Sequence, residues 1–261
     1  PNATNYDETA NVDDGTCEYP DNGDYSLSFD GVDDYVSIAY SDDLNFASND
    51  FTIEFYFYPT INTRQGLLSF ENDHHLGIDF NQQGDRNINI WASSDGDVWD
   101  LIISDAGGNG IGNISVPLNN WSHIAYVRHG DQWMTFINGQ KDVDITQSGS
   151  IINRIENMNI ARWGENIEPK FMGGIDSMQI TNGYAKYISN FEPSEYSLDS
   201  NTIGYYKFNS GSGDILYDHS GNGNHGTING ATWIENIYGC MDELAENYNS
   251  DANFSDGSCE Y

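Results

Sequence analysis

The chain has 261 residues, and its 41 Asp and Glu against 9 Lys and Arg give a formal net charge of -32. A surface of this sign repels nucleic-acid phosphates and anionic lipid headgroups, so both are disfavoured as partners. No apolar run approaches the roughly 18 residues that a membrane-spanning helix needs, which argues against membrane insertion. The many carboxylates have two possible explanations: they bind Ca²⁺, which prefers hard oxygen ligands, or they are an adaptation to high salt. Composition alone leaves both open.

The first recognisable feature along the chain is a repeat. Residues 2–19 align without a gap with residues 244–261, and ten of the eighteen positions are identical. A repeat at this spacing, enclosing a long stretch of different character, indicates one unit of a longer array. We therefore expect a modular protein and divide the chain into a truncated linker repeat (1–19), a central domain (20–235) and a second linker repeat (236–261).

The central domain is a succession of short alternating apolar runs. Gly, Asn and Asp separate them, and Asn138-Gly139 has the composition of a tight hairpin turn. Alternation with a period of two predicts strands that bury one face. The runs that predict strands are residues 25–29, 35–38, 51–58, 66–70, 88–91, 121–127, 133–137 and 177–180. Their aromatic content would fill the space between two sheets, so the pattern predicts a β-sandwich.

Four segments carry a more specific resemblance. In chain order they read SLSFDGVDDYVSI, DFTIEFYFYP, NNWSHIAYVRHGDQWMTFINGQ and GGIDSMQI. They resemble the ordered landmarks of the laminin-G-like, concanavalin A-like jelly rolls. The resemblance implies an all-β fold, a two-sheet antiparallel jelly-roll sandwich, here with small disulfide-stapled terminal loops. Residues 201–233 resemble a segment that often precedes the FDG strand in relatives, so their late position indicates a circular permutation or the start of a second domain.

The resemblance also implies a calcium site. Jelly rolls of this kind frequently hold Ca²⁺ where the early FDG turn meets a late Gly-Ile-Asp strand. The matching positions are Asp30, the Gly31 carbonyl and Asp176, with Asp33 beside the turn. The alternative is structural: Asp30 and Asp33 shape turns, and Asp176 caps a strand. Calcium is the expected cofactor.

The three cysteines belong to the repeats. Cys240 and Cys259 bound a polar loop with little apolar material, for which a disulfide is the expected staple. Cys17 matches Cys259, so its partner should lie upstream of Pro1 or in another chain, and a free thiol is the alternative. The loop resembles the short acidic, cysteine-bounded spacers of secreted bacterial and marine proteins.

The second repeat contains a weaker candidate calcium loop. Asp251, Asn253 and Asp256 are spaced like the start of such a loop. The first repeat has Thr9 in place of Asp251 and continues with Asn11, Asp13 and Asp14-Gly15. Asx-turn chemistry alone would select the same residue types, so the two interpretations remain open.

Aromatic residues beside polar, Gly-rich segments are candidate platforms for a sugar. Trp91, Trp99 and Trp163 fit this description, although a Trp is more often part of a core. Jelly-roll hydrolases resemble one another in a Glu-x-Asp-x-x-Glu strand, whereas residues 51–58 carry only Glu54. The sequence therefore predicts no catalytic residues and no enzyme.

Together these observations favour a noncatalytic extracellular binding or adhesion module. It would be calcium-braced, would recognise a cell-surface or matrix glycan, and would form one unit of a larger surface protein or virion appendage. The rival hypothesis is a structural unit of an extracellular filament or stalk, whose partners are copies of itself joined through the terminal Cys loops. A glycoside hydrolase of the same fold is the third alternative.

Overall fold

The alternating runs fold into two antiparallel sheets that face each other across an apolar core, which confirms the all-β jelly-roll prediction. The structure is a computed structural model that describes residues 3–12, 16–71, 74–105, 107–153, 155–164 and 170–261. The strands are β1 Tyr25–Asp30, β2 Tyr35–Ile38, β3 Phe51–Pro59, β4 Gln65–Phe70, β5 Leu76–Phe80, β6 Ile88–Ala92, β7 Ser122–His129, β8 Gln132–Ile137, β9 Gln140–Thr146, β10 Met158–Ile160, β11 Met172–Asn182, β12 Thr202–Tyr206, β13 Ile215–Leu216, β14 Gly226–Asn229, β15 Thr232–Glu235, β16 Tyr238–Gly239 and β17 Phe254–Ser255. A short 3-10 helix, Asp42–Leu44, lies between β2 and β3.

The eight-stranded sheet has the order β15-β1-β11-β3-β7-β8-β9, and β12 also pairs with β11. The seven-stranded sheet has the order β13-β14-β2-β10-β4-β5-β6. Strands from residues 201–235 complete both sheets, because β15 pairs with β1 and β14 pairs with β2. This late segment is therefore integrated into the same sandwich as the body that precedes it.

The predicted runs coincide with β1 to β4, β6 to β8 and the second half of β11. The pattern did not select β5, β9, β10 or β12 to β17, of which β13, β16 and β17 have only two residues each. The predicted turn at Asn138-Gly139 joins β8 to β9, and both residues have positive φ, 48° and 73°, as a tight two-residue hairpin requires.

Strand β3 shows how the sequence builds the two faces. Its inward residues Phe51, Ile53, Phe55 and Phe57 belong to the core between the sheets. Burying each such side chain contributes about 1.5–3 kcal/mol. The alternate residues, among them Tyr56, point to the outer face of the eight-stranded sheet.

Residues 184–199, which we call the strap, cover part of that outer face. Tyr187 and Phe191 of the strap stack on each other with ring centroids 3.5 Å apart. They pack with Ala185 on a second small apolar cluster, formed by Ala125, Val127, Met134 and Phe136. The strap leaves the end of the face nearest β12 open.

The C-terminal repeat is closed by a disulfide and packs against the sandwich. Cys240 and Cys259 form the predicted disulfide, with Cα atoms 4.8 Å apart, and Cys17 is exposed. Phe254 stacks on Trp121 at the start of β7. Within the part of the chain that the structure describes, no helix has the length and apolarity that crossing a bilayer requires.

Candidate functional site

An open cleft of about 400 Å³ lies on the outer face of the eight-stranded sheet, at the end of the strap. Its aromatic lining consists of Tyr56 from β3, Tyr196 from the strap and Tyr205 from β12. The Tyr196 ring lies 6.4 Å from the Tyr56 ring and 6.3 Å from the Tyr205 ring. All three residues are half-buried, so the cleft offers several partly exposed ring surfaces next to one another.

The polar lining of the cleft is mainly acidic. Asp21, Asp24 and Glu195 line it together with a single lysine, Lys207. The Lys207 ammonium lies 3.3 Å from a carboxylate oxygen of Asp21, so its charge is already partly neutralised. The cleft therefore has a negative potential and many hydrogen-bond acceptors.

A buried carboxyl group lies beneath the cleft. Asp176 sits where β11 changes register against β3, next to Ser177, which has a φ of 41° and lines the cleft. One oxygen of Asp176 accepts a hydrogen bond from the Ser177 backbone N–H at 2.6 Å, and the other accepts from the Asn236 amide at 3.2 Å. Burial, with the charge of Asp24 nearby, raises the pKa of Asp176 to about 8. This group therefore carries its proton at neutral pH.

Asp24 connects the cleft wall to the C-terminal segment. Its carboxylate accepts hydrogen bonds from the Asn236 amide and from the Tyr238 hydroxyl, both at 2.7 Å. Asn236 thereby bridges Asp24 and Asp176. The segments that enter and leave the sandwich thus meet at one side of the cleft.

The structure separates Asp176 from the turn with which the resemblance grouped it. Asp30 pairs with Met172 at the start of β11, whereas Asp176 lies four residues further along. At about 3.3 Å per residue, this displacement is roughly 13 Å, too far for one ion to bind both carboxylates. Asp176 instead belongs to the cleft, so the predicted grouping of Asp30 with Asp176 is wrong.

Asp30, Asp33 and Asp34 form an acidic cluster in its place. One carboxylate oxygen from each lies within 4.8 Å of the others. Asp34, which was not among the predicted ligands, is buried and accepts a hydrogen bond from the Asp30 backbone N–H at 2.8 Å. Burial, opposed by that hydrogen bond, raises the pKa of Asp34, and repulsion from Asp30 and Asp33 raises it further. Gly31 lies in the turn between them with a φ of 77°.

The chemistry of this cluster fits Ca²⁺. Three carboxylates at one turn supply hard oxygen ligands, and a bound cation would relieve their mutual repulsion. The Lys170 ammonium donates to the Val32 carbonyl in the same turn and brings one positive charge close to it. The cluster contains Asp30 and Asp33, two of the predicted positions.

The second predicted calcium loop is differently arranged. The side-chain oxygen of Asn253 accepts from the Ile237 backbone N–H at 2.8 Å, and its NH₂ donates to the Glu235 carbonyl at 2.9 Å. Asp256 accepts from the Ser258 backbone N–H at 2.9 Å, while Asp251 is exposed. These side chains brace the loop backbone. The matching Asp13, Asp14 and Gly15 lie outside the described residues.

The three predicted tryptophan platforms pack mainly on one another. The ring centroids are 5.3 Å apart for Trp91 and Trp99, 5.7 Å for Trp99 and Trp163, and 5.9 Å for Trp91 and Trp163. Trp91 and Trp163 are only 2% and 3% exposed, and the Arg64 guanidinium lies 5.4 Å from the Trp163 ring. Neither ring is available to stack on a sugar, which leaves the half-buried Trp99.

Glu54 is enclosed beneath the strap. Its carboxylate contacts His123 Nε2 at 3.1 Å, the Lys186 ammonium and the Tyr187 hydroxyl at 2.9 Å. Burial raises the pKa of Glu54, but the His123 hydrogen bond and the Lys186 charge outweigh it, so the net shift is downward. Glu54 is therefore a buried, paired carboxylate that a substrate does not reach.

Comparison with known families assigns the fold. The family Laminin_G_3, described as the concanavalin A-like lectin/glucanases superfamily, matches residues 30–185. The chain belongs to this family. No curated protein matches the sequence of this laminin-G-like chain. The match includes the Asp30 turn, Tyr56 and Asp176, whereas Tyr196 and Tyr205 lie beyond it.

The chain also resembles solved structures. A Bacteroides ovatus protein, named for an inferred carbohydrate-binding role, is 16% identical with a TM-score of 0.58, over 84% of this chain and 61% of the other. The laminin-G-like chain thus spans about three fifths of that protein. The Ruminococcus gnavus IT-sialidase CBM40, bound to alpha2,3 sialyllactose, is 16% identical with a TM-score of 0.47, over 62% of this chain and 91% of the other. Domain 4 of the Geobacillus stearothermophilus arabinanase AbnA, in complex with arabinotriose, is 19% identical with a TM-score of 0.46, over 62% of this chain and 72% of the other.

Proposed function

We propose that this laminin-G-like chain is a noncatalytic carbohydrate-binding module of a secreted or cell-surface protein. The observation that carries the proposal is the cleft lined by Tyr56, Tyr196 and Tyr205. A sugar presents an apolar C–H face and a rim of hydroxyls. Partly exposed rings next to carboxylates and amides match both features, as in small-molecule sites that combine aromatic walls with a few polar groups. The Bacteroides ovatus protein, which shares the fold, carries a carbohydrate-binding name that agrees with this proposal.

The charge of the cleft restricts the class of glycan. Asp21, Asp24 and Glu195 would repel a carboxylate or sulfate on the ligand, and Lys207 is already paired with Asp21. Sialylated and sulfated glycans are therefore disfavoured. The ligand we propose is a neutral or amino sugar, whose hydroxyl or ammonium groups would donate to these carboxylates.

The positions of two carboxyl groups, those of Glu54 and Asp176, favour a role without catalysis. Glu54 is enclosed by His123, Lys186 and Tyr187. Asp176 is protonated at neutral pH, as a general acid must be, but it is buried beneath the cleft and hydrogen-bonded to Ser177 and Asn236. A glycosidase requires two carboxyl groups on opposite sides of the scissile bond. Neither Glu54 nor Asp176 meets this requirement, since neither lies on the cleft surface. Of the carboxylates that do line the cleft, Asp21 is paired with Lys207, and Asp24 accepts hydrogen bonds from Asn236 and Tyr238.

Calcium belongs to this proposal as a structural ion. Asp30, Asp33 and Asp34 would hold it at the turn between β1 and β2. That turn leads into strands of both sheets, because β1 lies in the eight-stranded sheet and β2 in the seven-stranded sheet. The ion would brace the sandwich edge without contacting the glycan.

A glycan array tests the proposal. The array should contain neutral, amino-sugar and sialylated glycans, with the protein applied in calcium and in chelator. We expect binding to neutral or amino sugars and a loss of about tenfold or more in affinity for Tyr205→Ala. The control is Tyr184→Ala, which removes a 45% exposed tyrosine outside the cleft lining. Absence of binding to every glycan, or hydrolysis of the bound glycan, would contradict the proposal.

A further inference from the structure

The two repeats share a local fold as well as a sequence. In each copy one asparagine side chain holds the cysteine-containing turn through two hydrogen bonds. Its amide oxygen accepts from the backbone N–H of the matching glutamate at 2.9 Å in both copies, and its NH₂ donates to a backbone carbonyl at 2.6 Å in both copies. The matching residues are Asn5, Thr16 and Glu18 in the first copy and Asn247, Ser258 and Glu260 in the second. We therefore expect each copy to be able to make the contacts that the other copy makes.

The C-terminal copy docks on the sandwich that precedes it. Phe254 stacks on Trp121 with ring centroids 4.3 Å apart and an interplanar angle of 13°. The Trp121 indole N–H donates to the Asn253 carbonyl at 3.1 Å. The matching positions in the N-terminal copy are Asn11 and Val12, and Val12 is 77% exposed. This first docking face is thus packed against the sandwich and half-buried in one copy, and exposed in the other.

The N-terminal copy docks on the sandwich that follows it. Tyr19 stacks on Tyr217 with ring centroids 5.2 Å apart, and its ring meets the His225 ring edge-on at 4.6 Å. Tyr217 and His225 are the first and last residues of the connection between β13 and β14. The matching residue in the C-terminal copy is Tyr261, which is 82% exposed. The second docking face is therefore packed against the sandwich and half-buried in one copy, and exposed in the other.

We infer that one repeat between two such units docks on both of them. Its first face, Asn253 and Phe254, lies on the Trp121 of the unit before it. Its second face, Tyr261, stacks on the Tyr217 and His225 of the unit after it, as Tyr19 does here. The partner of the exposed face is thus a second unit of this kind, and the repeat is a rigid connector that fixes the angle between consecutive sandwiches. This inference is independent of glycan binding.

The exposed residues favour this occupant. The apolar side chain of Val12 and the ring of Tyr261 lie at the positions whose counterparts are covered by aromatic rings. Aromatic stacking of this kind contributes about 0.5–1.5 kcal/mol beyond the buried area. A connector that is held on two sides and closed by the Cys240–Cys259 disulfide has little freedom left to bend.

A tandem chain tests the inference. Residues 20–261 of a second copy are joined directly after Tyr261, so that one repeat serves both units. NMR relaxation and inter-unit residual dipolar couplings then report whether the two sandwiches tumble as one body. We expect a single alignment tensor for both units in the tandem. Tyr261→Ala at the internal junction should give two independent tensors, while each unit keeps its own melting temperature.

The matched control is Tyr248→Ala at the same internal repeat. Tyr248 and its counterpart Tyr6 are 41% and 52% exposed, so this tyrosine is outside both docking faces. The control should leave the single tensor unchanged. Independent tumbling of the unaltered tandem, or a rigid tandem that Tyr261→Ala does not loosen, would overturn the inference.

Discussion

The side-chain amide of Asn236 donates to the carboxylates of both Asp24 and Asp176, at 2.7 and 3.2 Å. Asn236 follows β15 and Asp24 precedes β1, so this amide ties the two ends of the sandwich to β11. Asp176 is buried, and its burial, together with the nearby charge of Asp24, raises its pKa to about 8, so that it is protonated at neutral pH.

The first prediction concerns the pH dependence of stability. The pKa of Asp176 is about 8 in the folded protein, against about 3.9 for an unfolded Asp. Between these values the folded state binds a proton that the unfolded state has lost, so the free energy of unfolding falls as pH rises from about 4 to about 8. Asp176→Asn mimics the neutral form, so the free energy of unfolding of this variant should fall less steeply with pH.

Urea unfolding at several pH values between 5 and 9 measures the slope. Asp251→Asn, which alters an exposed carboxylate in the C-terminal repeat, is the control and should retain the wild-type slope. Identical slopes for the wild type and Asp176→Asn would show that Asp176 is ionised throughout this range.

The second prediction concerns the buried charges beneath the strap. Glu54→Ala removes the partner of Lys186 and of His123 and leaves their polar groups without it. Removing one partner of a buried ion pair costs about 3–5 kcal/mol of unfolding free energy. Lys141→Ala is the matched control, because the Lys141–Asp144 pair lies at the surface and its loss should cost about 0–1 kcal/mol. Equal losses in urea titrations would contradict this account of Glu54.

The fold was largely predictable because the strand signal is local. Alternation in residues 51–58 places Phe55 inward and Tyr56 outward, and the structure agrees. Strands β13, β16 and β17 were not predicted because two residues are too few to show an alternating pattern. Trp163, a predicted sugar platform, lies over Gly77 of β5 and is buried there, which depends on tertiary packing.

The site was less predictable because its residues are distant in sequence. Tyr56, Tyr196 and Tyr205 come from β3, the strap and β12, and only the sheet pairing brings them together. No local pattern in the sequence marks the strap as a segment that covers the outer face of the sheet and contributes Tyr196 to the cleft. The acidic signal around Asp30 was local and therefore visible, whereas its separation from Asp176 depends on the register of β1 against β11.

The third prediction concerns calcium. Asp33 is exposed beside Asp30 and Asp34, so Asp33→Asn removes one ligand of the proposed ion from the surface side of the turn. Calcium should raise the melting temperature of the wild type, since a ligand at 100 times its Kd adds about 2.7 kcal/mol. The increase should be much smaller in Asp33→Asn and unchanged in Asp256→Asn. A calcium response that is the same in all three proteins would place the ion elsewhere.

The fourth prediction concerns the disulfide. Cys240→Ser should destabilise the C-terminal repeat, because a cross-link between cysteines 19 residues apart contributes about 3 kcal/mol in the chain-entropy description. The readout is the indole NMR signal of Trp121, whose ring stacks on Phe254 of this repeat. Its signal should change at a lower urea concentration than in the wild type. Cys17→Ser, which alters the exposed cysteine, should leave that midpoint unchanged.

The central claim is that the tyrosine-lined cleft binds a glycan, and NMR titration tests it most directly. A neutral or amino-sugar oligosaccharide selected on the array is added while the ring signals of Tyr56, Tyr196 and Tyr205 and the indole signal of Trp99 are followed. We expect saturable shifts of the three tyrosine signals with a common Kd and no comparable shift at Trp99. Saturable shifts at Trp99 with unchanged tyrosine signals would contradict the account, since they would place the ligand on the tryptophan cluster.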